Sequence, residues 1–329
     1  MLKSIVSSSV AVTRCLSVIA IAGGLAVSAI VMAPRAEAAE KLVVLLDWAL
    51  NPDHGPLVVA AAKGYFTDAG LEVEMIEPSN PEDPPKLVAA GKADLAVSYQ
   101  PQLHMQVAAD LPLTRIGTLV ATPLTTVMVL ADSPVRTLAD LKGRKVGFSV
   151  GGFEDALLKT MLARHGLSLK DVELINVNFA LSPALLAGQV DAVIGAYRNF
   201  ELNQLEIEGH KGRAFFVEEE GIPPYDELII VANNAKLKDP RLGKFMRAVE
   251  RGVQYLINHP KEAWLLFAGY KEGLDDELNR RAWWDTLPRF ALRPAALDTG
   301  RYADFAKFLK ANGVIDKTPP VSHYAVQLD

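Results

Sequence analysis

Cysteine is almost absent from this chain, since Cys15 is the only one among 329 residues. It follows Val-Thr-Arg rather than an apolar stretch, so lipid attachment is not expected there. A chain with a single cysteine cannot form internal disulfides or bind a metal through cysteine pairs. We therefore expect the fold to be stabilised by a buried apolar core.

Basic clusters and metal-binding patterns are also absent. The formal net charge is −5, and no Lys/Arg cluster is visible that would bind the phosphates of a nucleic acid. The six histidines are scattered without HxxxH or HExxH spacing, so no metal site is expected. Neither a Walker loop nor a Rossmann glycine triplet occurs, and we expect no cofactor. Binding is a more economical expectation than catalysis, and we assign no catalytic residue.

Residues 1–38 have the pattern of a cleavable export signal. Lys3 and Arg14 are the only early charges, Cys15 to Met32 is uncharged, and Ala36-Glu37-Ala38 is a small-x-small cleavage site. Cleavage there predicts a periplasmic protein without cysteine. Its net charge is −7, because the removed segment carries three basic residues and one acidic residue. An uncleaved anchor is the alternative, since the uncharged run approaches the length that crosses a bilayer.

The remaining chain alternates between strand-like and helix-like segments. Lys41 to Leu46, Leu71 to Ile76 and Ala93 to Val97 are compact runs typical of strands. A small apolar segment at 56–64 and a short segment after a proline-rich turn separate them as helices. This βαβαβ pattern predicts an α/β fold with a parallel sheet covered by helices.

An internal repeat indicates two similar lobes. Residues 87–97 (LVAAGKADLAV) resemble residues 185–195 (LLAGQVDAVIG), each with Gly, two residues, Asp and an apolar strand. Arg144 to Ser149, followed by two glycines and a helix, repeats the opening strand and helix. A helix, a terminal glycine and a buried strand also recur by chance in α/β proteins. Duplication of a doubly wound α/β lobe is the simplest interpretation.

Two further strands are expected to connect the lobes. Thr126 to Ala131 and Glu227 to Ala232 have the composition of crossover strands. They predict a discontinuous first lobe of residues 39–131 and 227–329, with residues 132–226 inserted as the second. After residue 235 the pattern is mostly helical, and we expect these helices to complete the first lobe. The expected helices are Pro240 to Asn258, Pro260 to Tyr270, Asp275 to Thr286 and Thr299 to Asn312.

The candidate binding residues follow the expected strands, because open α/β sheets bind ligands at the carboxyl ends of their strands. Trp48, Tyr99 and Tyr197 are candidates for stacking on a flat heterocycle, although aromatics beside strands are also common core residues. Glu201 is a candidate partner for an aminopyrimidine edge, or else a solvated helix residue. The complete expected set is Asp47, Trp48, Asn51, His54, Ser98, Tyr99, Gln100, Gly151, Gly152, Tyr197, Asn199 and Glu201.

Three of these residues have local alternatives. Gly151 and Gly152 precede a helix and resemble an anion cradle, but a tight turn explains the pair equally well. His54 precedes Gly-Pro, and its ring is expected either to contact the ligand or to cap the following helix. We favour the cap.

Four segments together resemble a known family. They are LDWALNPDHGPLVVAAAKGYFTDAGLEVEMIEPSNPED, GKADLAVS, LKGRKVGFSVGG and AYRNFELNQLE, in that order. The chain resembles the periplasmic binding proteins that deliver thiamine pyrimidine precursors to ABC transporters, within the pyrimidine-synthase-like branch of the type II periplasmic binding fold. The resemblance implies two lobes that close on formylaminopyrimidine or hydroxymethylpyrimidine, and it assigns ligand contacts to Asp47, Trp48, His54 and Glu201.

The same branch contains pyrimidine synthases that consume pyridoxal phosphate and an active-site histidine. Those enzymes have a lysine where this chain has Ser98, a histidine at Gln102, and a cysteine-rich loop that is lacking here. His104 lies close by but does not match the pattern. The resemblance therefore implies a receptor and not an enzyme.

The expected function is that of a monomeric solute-binding component that docks on a membrane permease with its ATPase. Alternatives are a receptor for riboflavin, another small heterocycle or a sulfonate, a pyrimidine synthase, and an exported sensor held by an uncleaved anchor.

Overall fold

The structure is a computed structural model in which residues 39–328 are described. Within this range the chain forms ten β-strands and eleven α-helices. The strands are β1 Glu40–Leu45, β2 Leu71–Ile76, β3 Leu95–Ser98, β4 Leu113–Val120, β5 Thr125–Leu130, β6 Lys145–Phe148, β7 Glu173–Asn176, β8 Ala192–Tyr197, β9 Gly212–Phe216 and β10 Leu228–Asn233. The helices are α1 Gly55–Ala62, α2 Tyr65–Asp68, α3 Asp83–Ala89, α4 Gln100–Ala108, α5 Phe153–Arg164, α6 Leu181–Leu186, α7 Glu201–Ile207, α8 Pro240–Asn258, α9 Pro260–Ala268, α10 Glu277–Thr286 and α11 Thr299–Ala311.

The export signal expected at residues 1–38 lies outside the described residues. Among the helices of residues 39–328, none is long and apolar enough to cross a membrane.

The first lobe is built on a sheet in the order β2-β1-β3-β10-β4. β1 runs parallel to β2 and β3, whereas β10 runs antiparallel to β3 and β4. The sheet is therefore mixed rather than wholly parallel, because the chain returns from the second lobe through β10. Both faces of β3 and β10 are buried, which is why their sequences are continuous apolar runs.

The second lobe repeats this arrangement in a sheet ordered β7-β6-β8-β5-β9. β6, β7 and β8 correspond to β1, β2 and β3, and antiparallel β5 takes the place of β10. The sequence repeat is therefore also a structural repeat, and the expected architecture of two α/β lobes is confirmed.

The repeated aspartate has the same role in each lobe. Asp94 Oδ2 accepts a hydrogen bond from Val43 N at 2.9 Å, and Asp191 Oδ2 accepts one from Lys145 N at 2.9 Å. Each aspartate thus binds the backbone of the neighbouring parallel strand just before its own strand begins. The glycine three residues earlier has a left-handed φ in both copies, 73° at Gly91 and 64° at Gly188. This conformation ends the preceding helix and favours glycine.

The chain crosses between the lobes through residues 121–124 and 217–227. The carboxyl group of Glu227, in the second crossover, accepts hydrogen bonds from two backbone N–H groups. They belong to Leu124 in the first crossover, at 2.5 Å, and to Thr125 at the start of β5, at 2.9 Å. The hydroxyls of Thr125 and Tyr225 donate to the same carboxyl group. Burial raises the pKa of Glu227. One buried side chain thus holds the two crossovers together.

The two strands expected at the crossovers are present, each displaced by about one residue. β5 pairs only within the second sheet, so the change of sheet on this side precedes β5. The lobe boundaries at residues 131 and 226 stay a prediction.

The four helices expected after residue 235 are confirmed as α8 to α11. α8 begins with the side chain of Asp239 capping Arg241 N, as is common at helix N-termini. Its apolar residues recur every three or four positions and are buried. α8 packs against α1. A Cβ at Gly252 of α8 would overlap the carbonyl oxygen of Pro56 of α1. Glycine therefore permits the close approach of these two helices in the first lobe.

Arg115 on β4 is a fully buried cation that secures the end of the described chain. Its guanidinium donates to the carbonyl oxygens of Pro294, Ala295, Ala296 and Val326, and to the Thr118 hydroxyl, at 2.6 to 3.2 Å. A guanidinium carries several donors in a fixed plane, which suits a site formed by many carbonyl groups.

Candidate functional site

The loop after β1 is organised by a short 3₁₀ turn, Pro52–His54. Asn51 caps it, because Asn51 Oδ1 accepts from Asp53 N at 2.9 Å. The ring of His54 completes the reciprocal half of this cap, with Nδ1 accepting from Asn51 N at 3.2 Å. The ring therefore caps its own turn and not the following helix as expected, since the side chain of His54 makes no hydrogen bond to α1. Whether His54 also contacts a ligand stays a prediction.

The cap fixes the tautomer of the His54 ring, which also contacts Asp47. Since Nδ1 accepts a hydrogen bond, the ring proton is on Nε2, which donates to Asp47 Oδ1 at 2.8 Å. The Tyr99 hydroxyl donates to Asp47 Oδ2 at 3.0 Å. Both carboxyl oxygens of Asp47 are therefore oriented by buried neighbours on the first lobe.

Two aromatic contacts connect the lobes around this loop. Tyr99 stacks on Phe153 of α5, with ring centroids 4.8 Å apart and planes 24° apart. Trp48 meets the edge of Phe179, from the loop before α6, at 4.6 Å and 72°. The conformation is therefore closed, with side chains of the first lobe in contact with side chains of the second.

Glu201 is the first residue of α7 and is 7% exposed. Its Oε2 accepts from Tyr197 N at 2.6 Å, so the carboxyl group is held against the end of β8. Burial raises the pKa of Glu201 to about 7. Near neutral pH this group therefore either accepts or donates a hydrogen bond.

A bulge in β8 makes room for a second carboxyl group. The pairing of β5 with β8 shifts between Thr126 and Val127, and Gly195 is the extra residue, with a φ of 95°. Glu154 of α5 lies against it, where a Cβ on residue 195 would overlap the carboxyl group. Glu154 Oε2 accepts from Ser149 N at 2.8 Å. Burial raises the pKa of Glu154 to about 8.

These residues surround one cavity between the lobes, of about 440 Å³ when the open space at its mouth is included. Its wall is Asp47, Trp48, Asn51, Asp53, Tyr99, Phe153, Glu154, Leu181, Gly195, Tyr197, Phe200 and Glu201. Four of these carry carboxyl groups and five are aromatic. No Lys, Arg or His is among the described residues that form this wall. The cavity is therefore acidic and aromatic.

Six of the twelve residues expected from the sequence line the cavity. They are Asp47, Trp48, Asn51, Tyr99, Tyr197 and Glu201. The structure brings them together from both lobes, and their contact with a ligand stays a prediction.

The polar residues at the end of β3 and just after it bind to other parts of the protein. The Ser98 hydroxyl donates to Gln102 Oε1 at 2.9 Å, so the two positions that the synthases use for lysine and histidine bind each other here. Gln100 accepts from Asp226 N at 2.8 Å, and its amide lies 3.2 Å from His104 Nε2. Burial lowers the pKa of His104 to about 3, which leaves this ring neutral.

The glycine pair after β6 forms a turn with one bond to the first lobe. Gly152 has a φ of 90° and precedes α5, a conformation that favours glycine. Gly151 N donates to Glu82 Oε1 at 3.1 Å, so a carboxylate of the protein already binds this part of the expected anion cradle. Asn199 is buried between the lobes and donates to Asp53 Oδ1 and Thr286 Oγ1, each at 2.7 Å.

Several residues of the wall were not assigned from the sequence as binding residues. They are Asp53, Phe153, Glu154, Leu181, Gly195 and Phe200. A glycine inside an apolar strand pattern is a bulge signal, so Gly195 was open to detection. Glu154 gave no such signal, since acidic residues are common in the first turn of exposed helices.

One sequence match bears on catalysis, for which no residue was assigned from the sequence. Residues 147–151 read Gly-Phe-Ser-Val-Gly, the GxSxG pattern of a hydrolase nucleophile elbow, between β6 and α5. An elbow presents an exposed serine hydroxyl to a histidine. Here Ser149 is 1% exposed, and its hydroxyl donates to the carbonyl oxygen of Asn178. This geometry does not support a nucleophile.

In residues 39–328 no group of three His, Cys, Asp or Glu side chains is arranged to hold a metal ion. The expectation that the protein uses no metal is untested by this geometry.

Comparison with characterised proteins identifies the relatives of this chain. A protein of Haemophilus influenzae named as a thiamine biosynthesis protein is 55% identical over 293 residues, which cover 89% of this chain and 93% of the relative. The formylaminopyrimidine-binding protein of Halalkalibacterium halodurans is 38% identical over 229 residues, 69% of each chain. A 4-amino-5-hydroxymethyl-2-methylpyrimidine phosphate synthase of Aspergillus parasiticus is 27% identical over 295 residues, 84% of each chain.

Solved structures confirm the fold. The alkanesulfonate-binding protein SsuA of Xanthomonas axonopodis pv. citri superposes with a TM-score of 0.68 at 20% identity, covering 88% of this chain and 99% of that one. The expected periplasmic binding protein fold is thus confirmed. The model of the family described as NMT1/THI5 like matches residues 51–263. This chain therefore belongs to the NMT1/THI5-like family.

Proposed function

We propose that this chain is the periplasmic solute-binding component of an ABC importer, and that it binds an uncharged aminopyrimidine precursor of thiamine between its lobes. The observation that carries the proposal is the composition of the cavity wall, which combines four carboxyl groups with five aromatic side chains. The relative named as a formylaminopyrimidine-binding protein supports the same ligand class.

The wall matches the shape and hydrogen-bonding pattern of an aminopyrimidine. Trp48 and Tyr197 offer aromatic faces, and stacking on each contributes about 0.5 to 1.5 kcal/mol beyond area burial. An aminopyrimidine edge presents one donor, the exocyclic amine, beside one acceptor, the ring nitrogen. A carboxyl group that shares a proton with the ring pairs with both atoms at once. Glu201 suits this role because its pKa is raised to about 7.

The charge of the wall argues against anionic ligands. A sulfonate, nitrate or phosphate group would be desolvated beside Asp47, Asp53 and Glu201, without a cation in the wall to compensate. The fold shared with an alkanesulfonate-binding protein therefore does not extend to its ligand. An uncharged or protonated ring avoids this repulsion.

The same reasoning favours a receptor over a synthase. Pyridoxal phosphate carries a phosphate and forms a Schiff base with a lysine. The wall contains no lysine among its described residues, and the position of the synthases' lysine is Ser98, which donates to Gln102. We therefore propose that the ligand is bound and released without reaction. The periplasmic location and the partner permease with its ATPase belong to this proposal, and they follow from the expected export signal and the fold.

A calorimetric ligand panel tests the binding proposal. Full-length protein is unfolded, washed free of ligand and refolded, and it is then titrated with 4-amino-5-hydroxymethyl-2-methylpyrimidine, its phosphate, formylaminopyrimidine, riboflavin, an alkanesulfonate and pyridoxal phosphate. We expect the two uncharged aminopyrimidines to bind tightest, and the phosphorylated form at least about tenfold more weakly because its charge faces the carboxyl groups. Tighter binding of the sulfonate or of pyridoxal phosphate would overturn the proposal.

Transport is tested separately in cells. Deletion of the gene should abolish uptake of labelled hydroxymethylpyrimidine, and the full-length chain should restore it. A Glu201→Gln variant should restore less uptake, whereas the exposed Glu208→Gln on the residue that follows α7 should restore it fully. Unchanged uptake after deletion would contradict the importer role without affecting the binding result.

A further inference from the structure

Asp53 is a buried carboxylate whose two oxygens have different surroundings. It lies in the 3₁₀ turn after β1, lines the cavity and is 1% exposed. Oδ1 accepts hydrogen bonds from Asn199 Nδ2 at 2.7 Å and from the Thr286 hydroxyl at 2.9 Å. Oδ2 is buried and has no hydrogen-bond partner within residues 39–328. Burial raises the pKa of Asp53 to about 6, so this group is mainly ionised at neutral pH.

The bond to Asn199 joins the two lobes. Asp53 belongs to the first lobe, whereas Asn199 lies between β8 and α7 of the second. The two amide hydrogens of Asn199 bind Asp53 and Thr286, which fixes the orientation of the amide. Thr286 ends α10, and this helix packs on the first lobe through Trp283, which lies beside Gly55 of α1. Asn199 is thus held by two separate elements of the first lobe.

This junction is the inner end of a longer seam between α10 and α7. Farther out, Asn203 donates to Asp285 Oδ2 at 2.7 Å, and Arg281 lies 3.5 Å from Glu206. These outer side chains are mostly exposed, so their bonds compete with water and contribute little. The buried bond between Asp53 and Asn199 is screened far less by water, so it contributes more to the seam than the outer bonds do.

An unpaired carboxylate oxygen in a cavity wall indicates a missing donor. Buried polar atoms are almost always hydrogen-bonded, and a charged one is costly to leave unpaired. Among the described residues, donors reach Oδ1 alone, and Asp53 is part of the cavity wall.

We propose that Asp53 binds the ligand and couples its binding to closure of the lobes, with Oδ2 accepting a hydrogen bond from a ligand N–H or O–H group while Oδ1 holds Asn199. The proposal rests on the proposed function in taking a ligand with such a donor. In the closed conformation Oδ2 is buried without a donor, so a ligand donor relieves a cost that burial in this conformation creates. The ligand therefore stabilises the closed state more than the open one, which is the requirement for a ligand-driven conformational change.

Three variants test the coupling. Asp53→Asn keeps the shape but replaces one acceptor oxygen by a donor, and Asn199→Ala removes the bond between the lobes. Asp285→Asn is the matched control, because it makes the same substitution in the same seam but does not line the cavity. The affinity for 4-amino-5-hydroxymethyl-2-methylpyrimidine is measured by calorimetry, and the change in radius of gyration at saturation by small-angle X-ray scattering.

Asp53→Asn should weaken binding at least about tenfold, the loss typical of one hydrogen bond to a charged group. At saturation its contraction should be smaller than that of the parent protein. Asn199→Ala should also contract less but should lose less affinity, because Oδ2 remains an acceptor. Asp285→Asn should match the parent in both measurements. Unchanged affinity of Asp53→Asn would overturn the ligand contact, and weaker binding with full contraction would overturn the coupling.

The test separates this inference from the proposed function. If the parent protein binds riboflavin or another panel compound instead, the aminopyrimidine proposal fails and the variants are measured with that compound. If no panel compound binds, the ligand-free proteins decide. Asp53→Asn and Asn199→Ala should then have a larger radius of gyration than the parent and Asp285→Asn, and equal radii would overturn the role of Asp53 in closure.

Discussion

The bulge at Gly195, in the cavity wall, allows the effect of a substitution on stability to be predicted quantitatively. We expect Gly195→Ala to lower the free energy of unfolding by about 2 to 5 kcal/mol. A left-handed φ of 95° costs an alanine about 1 to 2 kcal/mol. The new Cβ also overlaps the carboxyl group of Glu154, which must move away from Ser149 N and Val150 N. Because Glu154 is mainly neutral at pH 7, losing these two bonds costs about 1 to 3 kcal/mol more.

Gly188→Ala is the matched control for this substitution. Gly188 also has a left-handed φ, 64°, but a Cβ there would meet no atom within 4 Å. It therefore reports the backbone strain alone, about 1 to 2 kcal/mol. Urea denaturation of both variants measures the difference.

Removal of the obstructing side chain provides the second half of the assay. In a Glu154→Ala background, Gly195→Ala should cost no more than Gly188→Ala does, since the overlap is gone. The difference between the two backgrounds is the interaction of residues 154 and 195. Two results would refute the placement of Glu154 against the bulge at Gly195. One is that Gly195→Ala destabilises the parent protein no more than Gly188→Ala does; the other is that Gly195→Ala is equally destabilising in both backgrounds.

Three further outcomes are expected. Trp48→Ala should weaken pyrimidine binding, measured by calorimetry, at least about tenfold through lost stacking and burial. The control is Trp284→Ala, which changes a half-exposed tryptophan outside the cavity. Equal affinities of the two variants would contradict the stacking role of Trp48. The pKa of Glu154 is raised from 4.5 to about 8 and that of Glu201 from 4.5 to about 7, so between these pH values the folded state binds more protons than the unfolded state. The free energy of unfolding should therefore fall as the pH rises from about 4.5 to about 8. Glu154→Gln should flatten this decline in urea melts at several pH values, and an unchanged slope would show that Glu154 does not cause it. Arg115→Lys should destabilise the fold by at least about 2 kcal/mol, because an ammonium cannot reach all the carbonyl groups that the guanidinium binds. The exposed Arg136→Lys should cost about 0.5 kcal/mol or less. Similar melting curves for both variants would contradict the stabilising role of Arg115.

The fold was largely predictable because its signals are local. α8 runs from Pro240 to Asn258 as the sequence indicates, since a capping aspartate and a proline mark its start and its apolar residues have helical periodicity. β5 and β10 were also found within about one residue, because short apolar runs ended by polar turns are typical of buried strands. Their opposite direction within each sheet was not encoded locally. It depends on which lobe the chain enters next.

The site was only half predictable, because the missing half depends on contacts between distant residues. Asp53 stands inside the most recognisable motif of the chain, yet its partners Asn199 and Thr286 are 146 and 233 residues away. Glu154 becomes a buried acid only because Gly195 leaves space for it. Conversely, Ser98 and Gln100 follow a strand end as binding residues do, but neighbours in the fold bind their polar groups.

The hydrogen bonds by which Glu227 joins the two crossovers have a consequence for how the lobes would open. Because Glu227 belongs to the second crossover and its carboxyl group binds the backbone at the end of the first, we expect neither segment to bend alone. We then expect the lobes to turn as two rigid bodies about one pivot line, with the apolar interior of each left intact. Contacts away from the pivot, such as Gly151 with Glu82 and Tyr99 with Phe153, should then set the energy barrier to opening. A hinge of this kind is expected to open without partial unfolding.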